Sequence, residues 1–488
     1  MAGPFPAGLE PAVLWKYFDL LRSTPRGSGK EAAVRAAVAA AARDLGFGSQ
    51  VDETGNLLIH VPATPGREHV GTTILQGHLD IVCEKNADVE FDFETQGIEV
   101  ALDGEYLVAV GTTLGADNGI GVAAALGVAS DPTAVHGPLE LLFTVDEETG
   151  MTGAFGLEPG FLTGKRMLNL DTEEEGAVYV GCAGGGDVNV YYPIVREPLP
   201  AGGVCCRIEV KGLIGGHSGL EIHENRCNAL KALGRVLAAA LGEGVHLRLT
   251  RIDGGSKRNA IPREAGCGLC LDAADVSRTA DIVARVEKGL KTEFSGTDPD
   301  LEVRFEQRTD CTCTSVFGGD LSQRLVLAIL ATPSTVLAMS RDVPGLVETS
   351  NNLGVIRTEE DQVVLVHCSR SSRSSALEAV RHSLKALHEL AGARVALEPS
   401  YPGWQPNLAS PLLQTALEVH QRVVGRPAEV KAVHAGLECG LVGEKYPGLD
   451  MISIGPTMYG VHSPAERVSI PSVGRFYAYL KAVLAELG

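Results

Sequence analysis

Three features are scarce or missing in this sequence, and each absence excludes a class of protein. Basic residues are in deficit, with 42 Lys and Arg against 61 Asp and Glu and a formal net charge of −19, which argues against nucleic acid or an anionic membrane as a partner. No uninterrupted apolar run approaches the ~18–20 residues needed to span a bilayer. No cationic segment precedes an apolar core after Met1, so we expect no signal peptide and a cytoplasmic location.

The cysteines do not suggest a disulfide framework. There are eleven of them, an odd number in a long chain, and we interpret them as mostly free thiols in a reducing compartment. Cys267-Gly-Leu-Cys270 and Cys311-Thr-Cys313 resemble the halves of a zinc ribbon. Their spacing to each other is wrong for one, and Cys267–Cys270 lies in a strand-like run, so we expect no structural zinc there.

The order of the predicted elements indicates an α/β fold interrupted by a second domain. At 488 residues the chain is too long for one small core. Residues 12–46 are predicted to be helical, and Ser28-Gly-Lys-Glu31 has the pattern of a capping box that opens the second helix. Strands and helices then alternate up to Gly186, which predicts a mixed, largely parallel sheet flanked by helices.

The pattern changes after Gly186. Strands grouped around helices occur twice between 187 and 400, which predicts an α+β insert built of two lobes, and the first pattern returns near 408. We therefore expect one domain formed by residues 1–186 and 401–488, interrupted by a second domain formed by residues 187–400.

Imidazole and carboxylate side chains recur where predicted strands end or a helix begins. They are His78 and Asp80, Asp117, Glu147 and Glu148, and Asp171. Because ligand sites in open α/β sheets gather at the carboxyl ends of strands, we expect these side chains to converge at one edge. A buried group of carboxylates requires a compensating cation, and histidine with aspartate or glutamate suits zinc.

Each of these segments, taken alone, has an ordinary interpretation. A strand often ends in a polar pair, Glu147-Glu148 is typical of a solvated turn, and Asp117-Asn-Gly is typical of a helix N-cap. The joint occurrence in order, each at a strand end or a helix start, favours the metal site. In that site the His78-x-Asp80 spacing lets a carboxylate hold the second ring nitrogen of a ligating histidine.

The same segments resemble a known family. The motifs are "QGHLDIVCEKN", "TLGADNGIG", "TVDEETGMTGA", "LDTEEEG", "GGHSG" and "HSPAE". Together they resemble the M20 metallopeptidase family and, within it, the aminoacyl-histidine dipeptidase branch of cytosolic non-specific and carnosinase-like dipeptidases. The resemblance spans essentially the whole chain and implies a zinc-peptidase-like catalytic domain with an inserted lid domain.

The resemblance implies two divalent metal ions per chain, zinc in the first place, with manganese or cobalt as alternatives. Asp117 would bridge both ions. His78 and Asp171 would complete one site, and Glu148 and His462 the other. Glu147 would act as the general base that accepts the proton of the attacking water, and Asp80 would orient His78.

The insert and the last part of the chain are expected to supply contacts to the substrate. In the family, a histidine at the position of His217 stabilises the oxyanion, often across a dimer, which implies a homodimer here. Asn259 is a candidate substrate contact, and Arg370 suits a substrate carboxylate because a guanidinium binds it in a bidentate way. Glu438 is a candidate for the substrate's ammonium, with a buried structural pair as the alternative.

The sequence therefore predicts a dinuclear metal-dependent dipeptidase that cuts Xaa-His dipeptides, such as β-alanyl-histidine, and other dipeptides. One alternative is an amidohydrolase of the same fold acting on N-acyl amino acids. The two differ in whether an acidic anchor for a free amino group exists, such as Glu438 or the run Glu173–Glu175. An alternative of another class is a non-catalytic binding protein, which would have lost a ligand or the base.

Overall fold

A computed structural model describes residues 3–309 and 313–488, which form two compact units. Unit 1 comprises the residues up to Gly181, Trp404–Ala432 and Leu437–Gly488, and unit 2 comprises Cys182–Gly403 and Val433–Gly436. Cys311, one of the zinc-ribbon cysteines considered above, lies outside the described residues. Within those residues, no helix combines the length and the apolar character that crossing a bilayer requires.

The helices alternate with strands along most of the chain. In chain order they are α1 (Ala12–Ser23), α2 (Ala32–Asp44), α3 (Ala116–Ser130), α4 (Glu147–Gly150), α5 (Thr152–Gly156), α6 (Ala229–Gly242), α7 (Val276–Glu293), α8 (Leu321–Ala331), α9 (Ser374–Leu390), α10 (Pro411–Val424), α11 (Glu438–Lys445) and α12 (Ile470–Glu486).

The strands are mostly short. In chain order they are β1 (Gly48–Val51), β2 (Leu57–Val61), β3 (Thr73–His78), β4 (Val100–Asp103), β5 (Tyr106–Ala109), β6 (Leu139–Thr144), β7 (Arg166–Asn169), β8 (Ala177–Cys182), β9 (Gly184–Pro193), β10 (Arg196–Pro198), β11 (Val204–Lys211), β12 (Gly216–His217), β13 (Arg248–Gly254), β14 (Ala260–Ile261), β15 (Ala265–Leu271), β16 (Glu302–Gln307), β17 (Ser315–Phe317), β18 (Thr335–Met339), β19 (Val347–Thr358), β20 (Gln362–Ser371), β21 (Arg394–Tyr401), β22 (Glu429–Val433), β23 (Asp450–Ser453), β24 (Met458–Tyr459) and β25 (Arg467–Ser469).

Unit 1 is built on an eight-stranded mixed sheet in the order β1-β2-β6-β3-β7-β23-β8-β22. The four strands β6, β3, β7 and β23 are parallel, and antiparallel strands extend the sheet on both sides. All six residues of β3 and of β6 are buried, as expected for strands covered on both faces. The predicted mixed α/β sheet flanked by helices is confirmed.

The parallel strands bring the chemically interesting segments to one edge of this sheet. His78 is the last residue of β3, Glu147 follows β6, and Asp171 follows β7. Asp117 is the second residue of α3, whose small residues are almost all buried in the core of unit 1. The fold thus places these side chains at the carboxyl ends of neighbouring strands, where α/β proteins form their sites.

Unit 2 contains two lobes of the same connectivity. One runs β11-α6-β13-β15-α7-β16, and the other runs β9-α8-β19-β20-α9-β21 with the first inserted after β9. Their strands form one continuous sheet in the order β16-β11-β15-β13-β19-β20-β9-β21, in which β13 meets β19 at the centre. The two α+β lobes predicted from the repeated pattern are therefore present.

One local prediction is wrong, and one sheet was missed. The segment Ser28–Glu31 is not a capping box, because no side chain caps α2. Ser28 bonds to the distant Asp80, and Glu31 accepts the N–H groups of its neighbour Gly29 and of the distant Asp146. The four-stranded sheet β24-β25-β5-β4 was not predicted at all, since strands of two to four residues carry almost no periodic signal.

Candidate metal centre and active site

The structure brings the predicted metal ligands into two groups that share Asp117. His78, Asp117 and Asp171 form the first group, with one candidate ligand atom from each within 4.8 Å of the others. His78 Nε2 lies 3.0 Å from Asp117 Oδ1 and 3.4 Å from Asp171 Oδ1. One imidazole nitrogen and two carboxylates therefore face a common point.

The second group is formed by Asp117, Glu148 and His462. His462 Nε2 lies 3.2 Å from Asp117 Oδ2 and 3.0 Å from Glu148 Oε2. The two oxygens of Asp117 thus face two different histidines. That is the arrangement that a carboxylate bridging two cations requires.

The charges of these groups show a local excess of carboxylate. Although burial opposes its charged form, the carboxylates of Asp171 and Asp117 raise the pKa of His78 well above its usual value. Hydrogen bonds to Asp117 and Glu148 raise the pKa of His462 to about 11. Burial raises the pKa of Asp171. Such a group of carboxylates calls for positive charge, which a divalent cation would supply.

The donor set fits divalent metal ions. Among the described residues, Oε1 of Glu148 and Oδ1 of Asp171 are buried without a hydrogen-bond partner, and Asp171 Oδ1 makes only the 3.4 Å ion-pair contact with His78, although a buried carboxylate oxygen normally has a hydrogen-bond partner. Nitrogen from histidine and oxygen from carboxylates suit zinc, and also manganese or cobalt. Each group offers three protein ligands and therefore leaves a position for water or substrate, as catalytic sites do.

The backbone of His462 is held in an unusual conformation. Its φ is +64°, in the left-handed region that residues other than glycine seldom adopt. Such a conformation costs of the order of 1 kcal/mol and is typical of functional sites. It turns the chain between β24 and β25 so that a half-exposed imidazole reaches Asp117 and Glu148.

Asp80 is fully buried against the back of His78. Its Oδ1 lies 3.4 Å from His78 Nδ1, and its two oxygens also accept the backbone N–H groups of Glu147 and Glu148. Burial opposes ionisation, but the partnership with His78 and these N–H donors hold the pKa of Asp80 at about 2. Asp80 thus contacts both His78, one predicted ligand, and the backbone of the turn that carries Glu148, another predicted ligand.

Glu147 lies beside both histidine-containing groups without forming an ion pair. A carboxylate oxygen of Glu147 lies within 4.8 Å of candidate ligand atoms of His78 and Glu148. Burial and the neighbouring carboxylates raise its pKa well above the usual value. The preceding residue, Asp146, takes a left-handed conformation with φ +54°, and this turn places Glu147 and Glu148 at the start of α4.

Sequence reasoning missed a loop that supports the site, Arg26–Glu31, which we call the clamp loop. Arg26 is buried and donates from Nη1 to the carbonyls of Leu79 and Asp80, and from Nη2 to that of Gly115. Ser28 Oγ donates to Asp80 Oδ2 over 2.8 Å. Glu31 accepts the N–H of Asp146 over 3.0 Å. The loop joins the segments that carry His78, Asp117 and Glu147.

Glu466 was also missed, although it closes the quoted motif "HSPAE". It is 2% exposed, and its oxygens accept the N–H groups of Leu114, Gly115 and Ala116 at 2.7, 3.0 and 2.8 Å. These N–H groups stand at the start of α3, next to Asp117. A glutamate four residues after a predicted metal-ligating histidine was the available signal, but its target could not be read from the sequence.

Two further carboxylates lie near this centre in unit 1. Glu438 is 1% exposed, and its Oε2 accepts hydrogen bonds from Gln76 Nε2 at 2.6 Å and Thr144 Oγ1 at 2.7 Å. Burial raises the pKa of Glu438 to about 7. Glu173 has an exposed side chain on the loop after Asp171. Glu438 is thus buried, as in the structural alternative that the sequence left open, but its Oε1 has no hydrogen-bond partner among the described residues.

His217 lies in unit 2, on the short strand β12. Gly215 and Gly216 precede it with φ of +71° and +139°, values that favour glycine. Its Nδ1 accepts the N–H groups of Leu220 at 3.0 Å and Gly219 at 3.3 Å. Partial burial and the charge of Arg370 lower its pKa. A lowered pKa favours the neutral imidazole. Because Nδ1 accepts hydrogen bonds, the proton of that neutral ring is on Nε2, which can donate.

Asn259 and Arg370 also belong to unit 2. Asn259 is exposed, and its carbonyl accepts the N–H of Ser218, the residue after His217. Arg370 is 7% exposed and donates from Nη1 to Tyr401 Oη over 3.1 Å, while its Nε is buried without a partner. A buried guanidinium with an unused donor is suited to an anionic ligand.

Comparisons with known proteins agree with this geometry. Residues 74–486 match the model of peptidase family M20/M25/M40. The chain is 42% identical over 481 residues to the cytosol non-specific dipeptidase of Escherichia coli, covering 98% of both chains. It also matches the crystal structure of aminoacylhistidine dipeptidase from Vibrio alginolyticus with a TM-score of 0.92 and 42% identity, covering 99% of this chain and 98% of the other.

A more distant structure shares the fold alone. A tripeptidase from Staphylococcus aureus matches with a TM-score of 0.58 at 16% identity, covering 98% of this chain and 99% of that chain. The match of the family model over most of the chain, together with the close relative in Escherichia coli, decides the family. The chain belongs to peptidase family M20/M25/M40.

Proposed function

We propose that this protein is a metal-dependent dipeptidase that hydrolyses Xaa-His dipeptides, such as β-alanyl-histidine, along with other dipeptides. The observation that carries the proposal is the pair of ligand groups sharing Asp117, in a chain that is 42% identical to a dipeptidase over its whole length. The names of the two closely similar relatives support the substrate class. By the same likeness to a cytosol dipeptidase, we propose a cytoplasmic location.

We propose that the centre holds two divalent metal ions, zinc in the first place. His78, Asp117 and Asp171 would hold one, and Asp117, Glu148 and His462 the other. When bound, such ions lower the pKa of water and polarise the scissile carbonyl. Asp80 would keep the ring of His78 in the ligating orientation through Nδ1.

Glu147 is proposed as the general base. It lies within reach of the ligand groups but is not needed to complete either of them. A carboxylate whose pKa is raised by burial takes a proton from the attacking water readily and returns it to the leaving amine. It would therefore serve first as base and then as acid during one turnover.

Unit 2 is proposed to supply the remaining substrate contacts as the lid domain, while unit 1 is the catalytic domain. His217, a neutral donor at Nε2, would stabilise the oxyanion of the tetrahedral intermediate. Arg370 would bind the C-terminal carboxylate of the dipeptide, because its buried Nε has no partner within the described residues. Asn259 would contact the substrate from the segment beside His217.

We also propose that the chain forms a homodimer, with His217 acting across it. The competing arrangement is that His217 serves its own chain. Mixing the inactive variants His217→Ala and Glu147→Gln under subunit exchange separates them. Activity returns in mixed dimers if His217 acts across the dimer, and it stays low if His217 acts within its chain.

A substrate panel tests the proposed function. The metal-loaded protein should hydrolyse Ala-His and β-alanyl-histidine, and hydrolyse N-acetyl-Ala-His, Ala-His amide and Ala-His-Ala-Ala poorly. The amide is the matched test of Arg370, since loss of a paired buried charge is worth ~2–5 kcal/mol. Preferential hydrolysis of the N-acetylated compound would identify an N-acyl amino acid amidohydrolase instead. No hydrolysis of any member would support a binding protein.

A further inference from the structure

We infer that Glu173 is the anchor for the α-ammonium of the dipeptide, and thereby the residue that makes the centre select substrates with a free N-terminus. The inference rests on the proposed dipeptidase function and adds a specificity-determining residue to it. It also chooses between the two acidic anchors that the sequence left open, Glu438 and the run Glu173–Glu175.

The three carboxylates of that run differ in their partners. Glu174 accepts hydrogen bonds from Lys431 Nζ at 2.6 Å and Tyr179 Oη at 3.0 Å. Glu175 accepts one from Arg475 Nη2 at 2.7 Å. Glu173 has no hydrogen-bond or ion-pair partner for its carboxylate among the residues the structure describes, and its side chain is exposed. Only Glu173 in this run is free to bind a cation from solution.

Glu173 is held between the segments that carry two predicted metal ligands. It follows Asp171 by two residues, and its carbonyl accepts the N–H of Met458 over 2.9 Å. Met458 belongs to β24, which leads directly to His462. Although the residue is exposed at the surface, burial and the charge of Asp117 raise the pKa of the Glu173 carboxyl to about 7, and His462 opposes that shift. The backbone of Glu173 is thus anchored beside the metal centre, and its unpaired carboxylate interacts electrostatically with the groups of that centre.

The chemistry of a dipeptide requires an ammonium anchor close to the reacting carbonyl. The ammonium nitrogen of an α-dipeptide is two bonds from the scissile carbonyl carbon, and one bond more in a β-alanyl peptide. An ammonium-binding carboxylate must therefore stand beside the reacting centre and still be open to solvent before substrate binds.

Each of the other carboxylates near the centre either has another proposed role or is buried. Asp117, Glu148 and Asp171 are the predicted metal ligands, Glu147 is the proposed base, and Asp80 is bonded to Ser28 and two backbone N–H groups. Glu438 accepts hydrogen bonds from Gln76 and Thr144 at Oε2 only, and its Oε1 has no partner among the described residues, but its side chain is 1% exposed. By its exposure, Glu173 is the carboxylate that the ammonium of a substrate arriving from solution can reach.

The test compares Glu173→Gln with the matched variants Glu174→Gln and Glu175→Gln in the metal-loaded protein. Each change removes one charge from the same loop. Glu173→Gln should raise KM for Ala-His about ten- to hundredfold, the usual loss when one partner of a charge pair is removed. It should leave kcat within a few-fold, keep two metal ions, and leave the slow hydrolysis of N-acetyl-Ala-His unchanged. Glu174→Gln and Glu175→Gln should resemble the wild type in all of these.

A binding measurement gives a second readout. Calorimetric titration with a non-hydrolysable reduced-amide analogue of Ala-His should show weaker binding to Glu173→Gln, while the N-acetylated analogue should bind the variant and the wild type equally. Equal KM and equal analogue binding for Glu173→Gln and the wild type would overturn the inference and leave the dipeptidase proposal intact. A metal-loaded wild type that hydrolyses no dipeptide would overturn both.

Discussion

At the scale of single residues, Asp117 determines what kind of centre the protein can form. Each of its carboxylate oxygens faces a different histidine, at 3.0 Å for His78 and 3.2 Å for His462. Both imidazoles are protonated more readily than usual because of this carboxylate and its neighbours. A group of carboxylates that draws protons onto two histidines is one that two cations would stabilise.

Glu147 and Glu148 are adjacent in sequence but have different predicted roles. Glu147→Gln should retain two metal ions and lower kcat by about 10²–10⁴, the usual contribution of a positioned acid–base group. Glu148→Gln should instead weaken metal binding, because Glu148 Oε2 faces His462. Metal content and kcat measured on both variants check this. The reverse pattern would show that the base and the ligand are exchanged.

His217 has the tautomer that an oxyanion donor needs, since its Nδ1 already accepts two backbone N–H groups. His217→Ala should lower kcat by about 10²–10³ with little change in KM, because the hydrogen bond forms mainly in the transition state. Metal content and melting temperature should stay at wild-type values. A normal kcat with a raised KM would mean that His217 binds the ground state of the substrate instead.

Much of the centre was predictable at this scale, and the reason is positional. His78, Asp117, Glu148 and Asp171 follow strands or open a helix, so the sheet itself explains why they meet. His462 lies far along the chain and was assigned through the resemblance of its motif. Arg26 and Glu466 were not predictable, because each acts on backbone groups of a distant segment and neither has a local pattern that names its target.

At the scale of elements, the clamp loop Arg26–Glu31 illustrates how tertiary contacts override a local motif. The spacing of Ser28 and Glu31 is that of a capping box, but both side chains bond to the loops after β3 and β6 instead. The hydroxyl of Ser28 donates to Asp80, the carboxylate proposed to orient His78. A local motif and a tertiary contact compete for the same donor, and sequence alone does not tell which wins.

Ser28→Ala should therefore weaken metal binding. Removing the hydroxyl leaves Asp80 with one donor fewer, and outer contacts of this kind are worth up to about 10–100-fold in metal affinity. We expect a loss of about tenfold, measured by competition with a chromogenic chelator. Ser28→Thr keeps the hydroxyl and should restore affinity. Ser23→Ala, which removes a hydroxyl at the end of α1 that bonds only to Leu20, is the control. Wild-type affinity in Ser28→Ala would contradict a positioning role.

At the scale of the whole molecule, the chain is one α/β unit into which a second unit is inserted, and the second unit is itself a lobe inserted in a lobe. The mixed sheet and the two lobes were predictable because long amphipathic helices and strands repeat in order. The domain boundaries at 186/187 and 400/401 stay predictions, while unit 2 ends at Gly403 and regains Val433–Gly436. Short strands such as β4 and β24 were not predictable, because their pairing depends on segments far apart.

The stability of unit 2 should also fall at acidic pH. His367 on β20 is fully buried, and neither of its ring nitrogens has a hydrogen-bond partner among the residues that the structure describes. Its ring lies 5.1 Å from that of His388. Burial, His388 and Lys231 lower the pKa of His367, and burial lowers that of His388 to about 4. The unfolded chain binds protons at these histidines near pH 6.5, whereas the folded chain binds them only at lower pH. The contribution to the free energy of unfolding is therefore complete above pH 6.5 and is lost as the pH falls below it.

The variant His367→Phe should lose less unfolding free energy per pH unit below pH 6.5 than the wild type does. Removing one such histidine should reduce the slope of unfolding free energy against pH by up to about 1.4 kcal/mol per pH unit below pH 6.5. Denaturant unfolding between pH 7.5 and 4.5 measures it, and His246→Gln, at an exposed histidine, should match the wild type. Identical slopes for His367→Phe and the wild type would mean that His367 does not contribute to acid sensitivity.

The central claim is that the groups sharing Asp117 hold two divalent ions on which dipeptide hydrolysis depends. The most direct measurement is hydrolysis of Ala-His by protein stripped with a chelator and then titrated with zinc, with bound metal determined at each step. We predict activity below about 1% of the original without metal, since the nucleophilic water is otherwise hardly ionised at neutral pH, and full activity as the second equivalent per chain binds. Undiminished hydrolysis by a verified metal-free sample would contradict the claim.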